Sequence, residues 1–224
     1  MFEGFSERTV DFMWGIRLNN NKPWFEQHKD EYKRELAAPM QALAQQVSAA
    51  FFKAHPEFEL TVHVARIYRD ARRLFGNGPY KDHLWFTLQP LTEEWTDKPA
   101  FWFELGPDDW TYGLGYYMAR PLTMAKHRAR IDSDPKPLAR LQQLLGGQSE
   151  FVLEGERYKK PKGERADALA AWYNLRSFSL IHTEKLTPLI ASPALADRLL
   201  EGFDFLAPFY AYFGTLDADP DPKI

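Results

Sequence analysis

The sequence predicts an α+β fold in which a mainly antiparallel sheet packs against N-terminal and C-terminal helices. Three observations lead to this prediction. Apolar residues recur at helical spacing over residues 1–55 and again from 193, and the period changes to two from about residue 59. Two alternating segments are joined by a short turn, which suits antiparallel strands. We expect one domain over residues 1–224, with a frayed tail from about 217.

The first 55 residues read as three helical segments. Ser6 is placed as the N-cap of the first, because its side chain can accept a hydrogen bond from a free N–H of the first turn. Residues 19–21, three asparagines, interrupt that helix, and Pro23 suits the first turn of the next. Pro39 is expected to end or kink the second helix, because it lacks an N–H and clashes with the preceding turn. Residues 40–51 continue as an amphipathic helix.

The central segments alternate as strands do. Residues 61–68 and 83–89 are predicted strands, and residues 101–105 and 110–116 form a predicted hairpin around the Gly-Pro-Asp-Asp turn at 106–109. Helical spacing then returns, with one further short strand. The remaining predicted elements are helices at 122–131, 138–145 and 166–175, a strand at 151–153, and a last helix opened by Ser192-Pro193.

Composition excludes several classes of protein. The chain has no cysteine, which removes disulfide scaffolds, thiolate catalysis and cysteine-ligated metals. Its net charge of −3 disfavours a dedicated nucleic-acid or anionic-membrane binder. Neither a signal peptide nor a long apolar stretch is recognisable, so we expect a cytoplasmic protein. Histidine and carboxylate spacings of metal type are absent from the sequence, as are the common nucleotide-binding motifs, so no metal or cofactor is predicted.

One segment carries a local charge opposite to that of the whole chain. We call residues 63–83 the first basic island, because five basic residues face two acidic ones, a net charge of +3. A local excess of this kind indicates a site for a small phosphate- or carboxylate-bearing ligand, since guanidinium groups bind such anions through paired hydrogen bonds. The charged residues are Arg66, Arg69, Arg72, Arg73 and Lys81, with Asp70 and Asp82.

Each residue of the first island has an expected role. Arg66, Arg69 and Arg72 would clamp the anion with help from Lys81, and Asp70 would orient an arginine. Tyr80 and His83 are the candidate groups for proton transfer, and so the candidate catalytic residues. The clamp requires the strand to end near residue 67 or 68, because residues 66 and 69 of an extended strand project to opposite faces.

A second basic island spans residues 157–165 and, counted with the adjacent Glu156, again has a net charge of +3. Its cations are Arg157, Lys159, Lys160, Lys162 and Arg165, against Glu156 and Glu164. If this loop closes over the first island, Arg157 and Lys160 become ligand contacts on the second wall of an anion pocket. The competing interpretation is an exposed loop that lysines keep soluble.

Two rival hypotheses assign the arginines differently. In the first, they form a structural salt-bridge network within a non-enzymatic protein-interaction module. In the second, they contact the backbone of RNA or DNA, which would give binding that falls steeply with salt. No motif in the sequence indicates a particular reaction, so the question of enzyme or binding protein stays open at this stage.

The motif Arg66-Ile-Tyr-Arg-Asp-x-Arg72, followed by Pro79-Tyr-Lys81, resembles an uncharacterised bacterial family, domain of unknown function family 2461. Asn20-Asn21, the strand 113–118 and Lys160-Pro-Lys-Gly163 add to the resemblance, which covers essentially the whole chain. The resemblance implies that the arginine motif and the Pro-Tyr-Lys segment form one unit. Arg73 stands where the family pattern has Phe, and residues 76–78 lack a lysine of that pattern.

Overall fold

A six-stranded antiparallel sheet forms the centre of the computed structural model, which describes residues 1–70, 72, 74 and 76–222. Strand order across the sheet is β1-β2-β3-β4-β6-β5. The strands are β1 Leu60–Val64, β2 Leu84–Pro90, β3 Pro99–Leu105, β4 Asp109–Tyr116, β5 Val152–Glu154 and β6 Ser179–Lys185. Every pairing is antiparallel, which confirms the predicted class of fold.

The helices precede and follow the first four strands. They are α1 Glu7–Leu18, α2 Lys22–Glu31, α3 Ala38–Ala54, α4 Pro121–Ser133, α5 Lys136–Gly146, α6 Ala170–Tyr173 and α7 Ala194–Gly214. Helices α3 and α7 contact each other and lie on the sheet, α3 over β1 and β2 and α7 over β3 and β4. The core is the layer between them, where inward side chains such as Phe86, Phe103 and Tyr112 are fully buried.

The opposite face of the sheet has a different composition, and we call it the open face. Side chains that alternate with the core positions remain half-exposed there, including Trp85, Glu104 and Thr111. The register aligns them across the strands: Trp85 is opposite Glu104, and Glu104 is opposite Thr111. This face therefore carries polar and aromatic groups that can meet a ligand, while the helical face is filled by the core.

Local chemistry explains the two breaks in the N-terminal helices. The break at residues 19–21 and the first-turn position of Pro23 are as predicted, and Asn21 is the N-cap of α2, since its side-chain oxygen accepts the Trp24 N–H at 3.0 Å. Pro39 interrupts the next stretch through a π-helical turn, residues 32–37. Since Pro39 has no N–H, the Glu35 carbonyl four residues earlier loses its helical partner. The Thr9 hydroxyl donates to that carbonyl at 2.6 Å and so ties α1 to the interruption.

Three elements differ from the prediction. Strand β1 ends at Val64 rather than residue 68, because its register with β2 shifts beyond Ala65: the Ala65 N–H bonds to the Trp85 carbonyl, whereas the Ile67 carbonyl accepts the Lys81 N–H. Strand β6 was not predicted, since its residues after Leu180 alternate only weakly between buried and exposed. Helix α6 covers four residues instead of ten, because Asp167 accepts the Leu169 N–H at 3.1 Å in a turn just before it.

The predicted hairpin and the tail complete the comparison. Strands β3 and β4 pair in register across the predicted turn, where the Gly106 N–H donates to the Asp109 carbonyl at 2.9 Å. The tail from Asp217, expected to fray, makes ion pairs in its described part: Asp219 binds Arg130 through two hydrogen bonds of 2.6 and 2.7 Å. None of the helices in the described ranges is long and apolar enough to cross a membrane.

Candidate anion-binding site

The first basic island lies at one corner of the sheet. It connects edge strand β1 to the start of β2, where Leu84 is opposite Leu105 at the end of β3. The C-terminal end of α1 and the β3–β4 turn reach the same corner through Arg17 and Asp108. Arg73 lies outside the described residues, so the charges considered below are the remaining ones.

Two arginines and two aspartates hold this corner together, and we call them the corner network. Arg17 Nε donates to Asp82 Oδ2 at 2.5 Å, and its Nη1 donates to Asp108 Oδ2 at 2.6 Å. Arg69 Nη2 lies 3.8 Å from Asp82 Oδ1. Asp82 is only 17% exposed, so its charge needs these partners. The network joins α1, the island and the β3–β4 turn into one unit.

The carboxylate of Asp82 also orients the imidazole of His83. Their contact, from His83 Nδ1 to Asp82 Oδ1, measures 2.9 Å. Burial alone would raise the pKa of Asp82, but hydrogen bonds from Arg17 and His83 outweigh it, and the pKa is lowered from its ordinary value. An ionised carboxylate at Nδ1 leaves the Nε2 of His83 as the ring atom available to a ligand.

The backbone carbonyl of Tyr80 is the second anchor of the corner. It accepts a hydrogen bond from Arg69 Nε at 2.8 Å and one from Asn20 Nδ2 at 2.9 Å. The Asn20 side chain also accepts the Tyr80 N–H at 3.0 Å, so it pairs with the backbone as a strand would. Gly78 leaves room for this side chain, because a Cβ there would lie 2.3 Å from Asn20.

Two of the predicted ligand residues, Asp70 and Arg72, form an ion pair with each other. Asp70 receives Arg72 Nε at 3.0 Å and Arg72 Nη2 at 2.8 Å, a bidentate ion pair on the surface. Asp70 thus orients an arginine, as the sequence suggested, but Arg72 is 88% exposed and its charge is already matched. The three arginines of the predicted clamp therefore do not converge on one point.

The ring of Tyr80 belongs to the core. It is 3% exposed and stacks on Phe25 with 4.2 Å between ring centroids, beside Tyr68 at 5.5 Å. Burial raises the pKa of the Tyr80 phenol, which makes it a poorer acid. Of the two candidate proton-transfer groups, His83 is the one with a half-exposed ring.

Lys81, His83, Trp85 and Glu104 form a compact group on the open face, which we call the open-face cluster. Lys81 Nζ lies 4.4 Å from the centre of the Trp85 ring, and the His83 ring stacks on the same indole at 5.6 Å. Glu104 is opposite Trp85 in the register of β2 and β3. Alternation along the extended chain explains the grouping, because residues 81, 83 and 85 project to one side.

The electrostatics of this cluster are unusual for a surface. Burial lowers the pKa of Lys81, and the nearby positive charges of Arg69 and Arg66 lower it further. Burial likewise raises the pKa of Glu104, although His83 acts in the opposite direction. No carboxylate within the described part of the chain lies within 4.0 Å of the Lys81 ammonium. Glu104 is the nearby carboxylate that raises the pKa of Lys81, but within the described residues the two make no direct ion pair.

Arg66 lies apart from the open-face cluster. Its exposed side chain lines a cavity of about 360 Å³ between α3 and edge strand β1. The positive charge of Arg66 contributes to the lowered pKa of Lys81. The Arg66 guanidinium itself makes no hydrogen bond or ion pair within the described residues.

The prediction that the second island closes over the first is wrong. The first island enters the start of β2 beside one edge of the sheet, whereas residues 157–165 follow β5 at the other edge. Glu154, at the end of β5, is opposite Ser179, and Ser179 is opposite Gly115 at the far end of β4. The two islands thus occupy diagonally opposite corners, so Arg157 and Lys160 cannot share a ligand with Lys81.

The second island forms its own shallow basic surface. Together with Glu156 and Arg176 its residues line an open cavity of about 650 Å³. Arg157 and Lys160 are exposed there, and Lys162 Nζ lies 5.1 Å from the centre of the Tyr158 ring. Arg165 is the exception, because it is bound by the carboxylates of Asp132 and Asp167.

Several residues of the site escaped prediction from sequence. Arg17, Asp108 and Glu104 are far from the island along the chain and carry no local signal. Asn20 was noted only as a helix breaker and as part of the family resemblance. Trp85 is the exception. In the predicted strand 83–89, alternation places its side chain on the same face as His83.

The fold and the corner define an α+β protein with one helical layer and one open sheet face. Comparison with families of known sequence places it more narrowly. The family model described as "Conserved hypothetical protein (DUF2461)" matches residues 8–212, so the chain belongs to this family. None of the curated proteins compared with it matches the chain. Within the described residues, no three His, Asp or Glu side chains are grouped as metal ligands would be.

Proposed function

We propose that this protein binds a small phosphate- or carboxylate-bearing ligand at the open-face cluster. The observation that supports the proposal is Lys81, a half-buried ammonium held close to Arg69 and Arg66. Glu104 partly offsets these charges, but no carboxylate of the described residues lies within 4.0 Å of the ammonium. Repulsion among like charges costs free energy in a partly buried setting. An anion placed against Lys81 supplies a direct ion-pair partner and lowers that cost.

The neighbouring groups give the ligand site its chemistry. The Trp85 ring forms an apolar floor under the Lys81 ammonium and the His83 ring. Asp82 orients the imidazole, so that Nε2 can accept a proton from a bound acid or donate one to it. Because Arg69 Nε already donates a hydrogen bond to the Tyr80 carbonyl, Arg69 contributes mainly positive electrostatic potential to the site. Ligand contacts therefore shift from the three arginines of the sequence motif to Lys81 and His83.

A structural network, the rival hypothesis, accounts for part of the motif. Arg69, Asp82 and Arg17 connect three elements and are held by hydrogen bonds within the protein. This observation favours a structural role for Arg69 and leaves Lys81 unexplained. The two interpretations therefore apply to different residues of one island.

The test is a thermal unfolding series with inorganic phosphate and citrate as probes. At a ligand concentration tenfold above its dissociation constant, a single site stabilises the folded protein by about 1.4 kcal/mol. We expect this shift in the wild type and in Lys160→Met, which removes a cation from the second island. Lys81→Met should abolish it. Equal shifts in all three proteins, or no shift in the wild type, would refute the proposal.

The pH dependence of binding gives an independent check. Because the pKa of Lys81 is lowered in the free protein, an adjacent anion raises it again and binding takes up protons. Phosphate affinity should fall as the pH rises through the Lys81 pKa. Calorimetry in two buffers with different ionisation enthalpies, run at the alkaline pH where the phosphate affinity is falling, measures the proton uptake, and its absence at that pH would argue against Lys81 as the contact.

A further inference from the structure

The two edges of the sheet are protected to different degrees. Strand β5, at one edge, has only three residues, ends in Glu154 and is followed by Glu156, features that discourage pairing with another strand. Strand β1, at the other edge, has five residues, Leu-Thr-Val-His-Val, without proline, lysine or an acidic side chain. An edge of this kind is a template for another strand.

The hydrogen-bond pattern shows which groups of β1 are free. The Ala65 N–H donates to the Trp85 carbonyl at 2.9 Å, and His63 and Thr61 continue the same alternation opposite Thr87 and Gln89. The backbone groups of odd-numbered residues therefore face β2, and those of Leu60, Val62 and Val64 face outward. In the described ranges, 1–70, 72, 74 and 76–222, no strand pairs with this outer edge.

The groove beside the edge is partly apolar. It is the 360 Å³ cavity beside β1, where Val62 and Val64 face Ala44 of α3 and Tyr32 of the π-helical turn. Its polar lining comes from Gln41, Gln45 and Arg66. Both valines are only half-buried, although they lie on the core side of the sheet. An added strand would extend the sheet and cover their exposed surface with its own alternate side chains.

The charges at the two ends of the edge are opposite in sign. Exposed Glu57 and Glu59 precede β1, and exposed Arg66 follows it. An antiparallel partner strand must then carry a negative charge near its own N-terminal end and a positive charge near its C-terminal end. The segment Glu59–Arg66 of this chain has that pattern, with valines alternating between the charges. The edge is therefore complementary to itself, which a two-fold symmetric contact requires.

We propose that two copies of this protein associate through antiparallel pairing of their β1 strands. The pairing joins two six-stranded sheets into one continuous sheet, satisfies the outward backbone groups of Val62 and Val64, and brings Arg66 of each copy beside the Glu57–Glu59 turn of the other. Both helical layers lie on the same side of the joined sheet, because the two-fold axis is perpendicular to it. The proposal does not depend on the open-face cluster.

Sedimentation equilibrium over a range of protein concentrations tests the association. We expect a mass that rises from 26.1 kDa towards twice that value in the wild type. Val62→Pro removes an outward N–H without removing a β1–β2 hydrogen bond, so it should remain monomeric and folded by circular dichroism. Val62→Ala keeps the N–H and should still dimerise. A monomeric wild type, or a Val62→Pro variant that dimerises equally well, overturns the proposal.

A charge exchange tests the orientation of the strands. Arg66→Glu alone places like charges at both ends of the contact, and so does Glu59→Arg alone, so each variant should weaken dimerisation about tenfold or more. In a mixture of the two variants both contacts regain opposite charges, and we expect a heterodimer of near wild-type affinity. If mixing restores nothing, antiparallel pairing of β1 is incorrect.

Hydrogen exchange supplies a readout within one strand. The amides of Val62 and Val64 should gain protection as protein concentration rises, whereas the His63 amide, already bonded to β2, should not change. Protection that appears only when an unrelated peptide or protein is added would identify a different occupant and overturn the self-association. His83→Ala, which alters the proposed ligand site and removes no hydrogen bond to residues 60–66, should leave the dimer unchanged and so separates the two proposals.

Discussion

The two basic islands have the same net charge and opposite structural roles. In the first, Arg69, Lys81 and Asp82 are half-buried and tied to backbone carbonyls, to one another and to residues of α1. In the second, Arg157 and Lys160 are exposed at the surface. The difference shows that a local charge excess marks a structured site only where the fold partly buries the charges and fixes their hydrogen bonds.

Replacement of Arg69 by alanine should have the largest effect on stability. It removes a charged hydrogen bond to the Tyr80 carbonyl and one partner of Asp82, so we expect the free energy of unfolding to fall by about 2–3 kcal/mol. Urea unfolding measures the change. Arg72→Ala is the matched control and should have no measurable effect, because its ion pair with Asp70 is exposed. Equal losses for the two variants would remove the distinction between structural and surface arginines.

Asn20→Ala should have the next largest effect. The variant loses both hydrogen bonds between the Asn20 side chain and the Tyr80 backbone, so the Tyr80 N–H loses its Asn20 acceptor. We expect the free energy of unfolding to fall by about 1–2 kcal/mol. Asn19→Ala is a suitable control, since the Asn19 side chain is exposed and bonds only within its own helix end. Urea unfolding of both variants would test the expectation, and a neutral Asn20→Ala would show that the corner does not need this anchor.

Acid stability should depend on the first island through Asp82. Its pKa is lower in the folded protein than the ordinary 3.8, so the unfolded chain binds protons more readily as the pH falls. The stabilisation from Asp82 is present above pH 3.8 and is lost as the pH falls through the folded pKa. Asp82→Asn should therefore show a smaller loss of stability below pH 4 than the wild type.

The measurement for Asp82 is urea unfolding at a series of pH values. Other carboxylates, such as Asp167 beside Arg165, also have lowered pKa values, so the slope of the wild type alone does not isolate Asp82. The difference in pH dependence between Asp82→Asn and the wild type isolates the contribution of Asp82. Parallel pH profiles for the two proteins would contradict the corner network as described.

Neutralisation of the second island should have the smallest effect. The triple variant Lys159→Gln, Lys160→Gln and Lys162→Gln removes three exposed charges, and we expect an unchanged midpoint of thermal unfolding together with a lower isoelectric point. A clear loss of stability would show that this loop has a structural role that its exposure does not suggest.

Several features of the fold could be predicted from particular residues. Asn21 and the alternation of Phe101, Phe103 and Leu105 led to the helix start and the hairpin strand that the structure contains. Local hydrogen bonding and side-chain periodicity determine such features, so neighbours in sequence carry the information. Strand β6 and the short α6 were not predicted correctly, because pairing partners or a single side-chain turn decide their extent.

The sequence predicted which segment forms the candidate site, but it did not predict how the side chains of that segment are arranged. Lys81 was among the expected ligand residues and His83 among the candidate catalytic residues, and the family match does not test their roles. The three arginines of the predicted clamp do not converge. Arg69 donates to the Tyr80 carbonyl, Arg72 pairs with Asp70, and Arg66 lines the cavity beside β1. After the end of β1 the backbone of residues 67–69 pairs with residues 79–81 in a shifted register, which no sequence pattern indicates.

The sequence by itself determined the class of fold, the absence of cysteine chemistry and the position of the basic islands, because periodicity and composition are local properties. Tertiary structure alone decided which charges are buried and which ends of the sheet they occupy. Arg17 meets Asp82 across 65 residues of chain, and Asn20 meets Tyr80 across 60. Electrostatic environment is set by such distant partners and by burial, and neither is encoded in the spacing of the residues themselves.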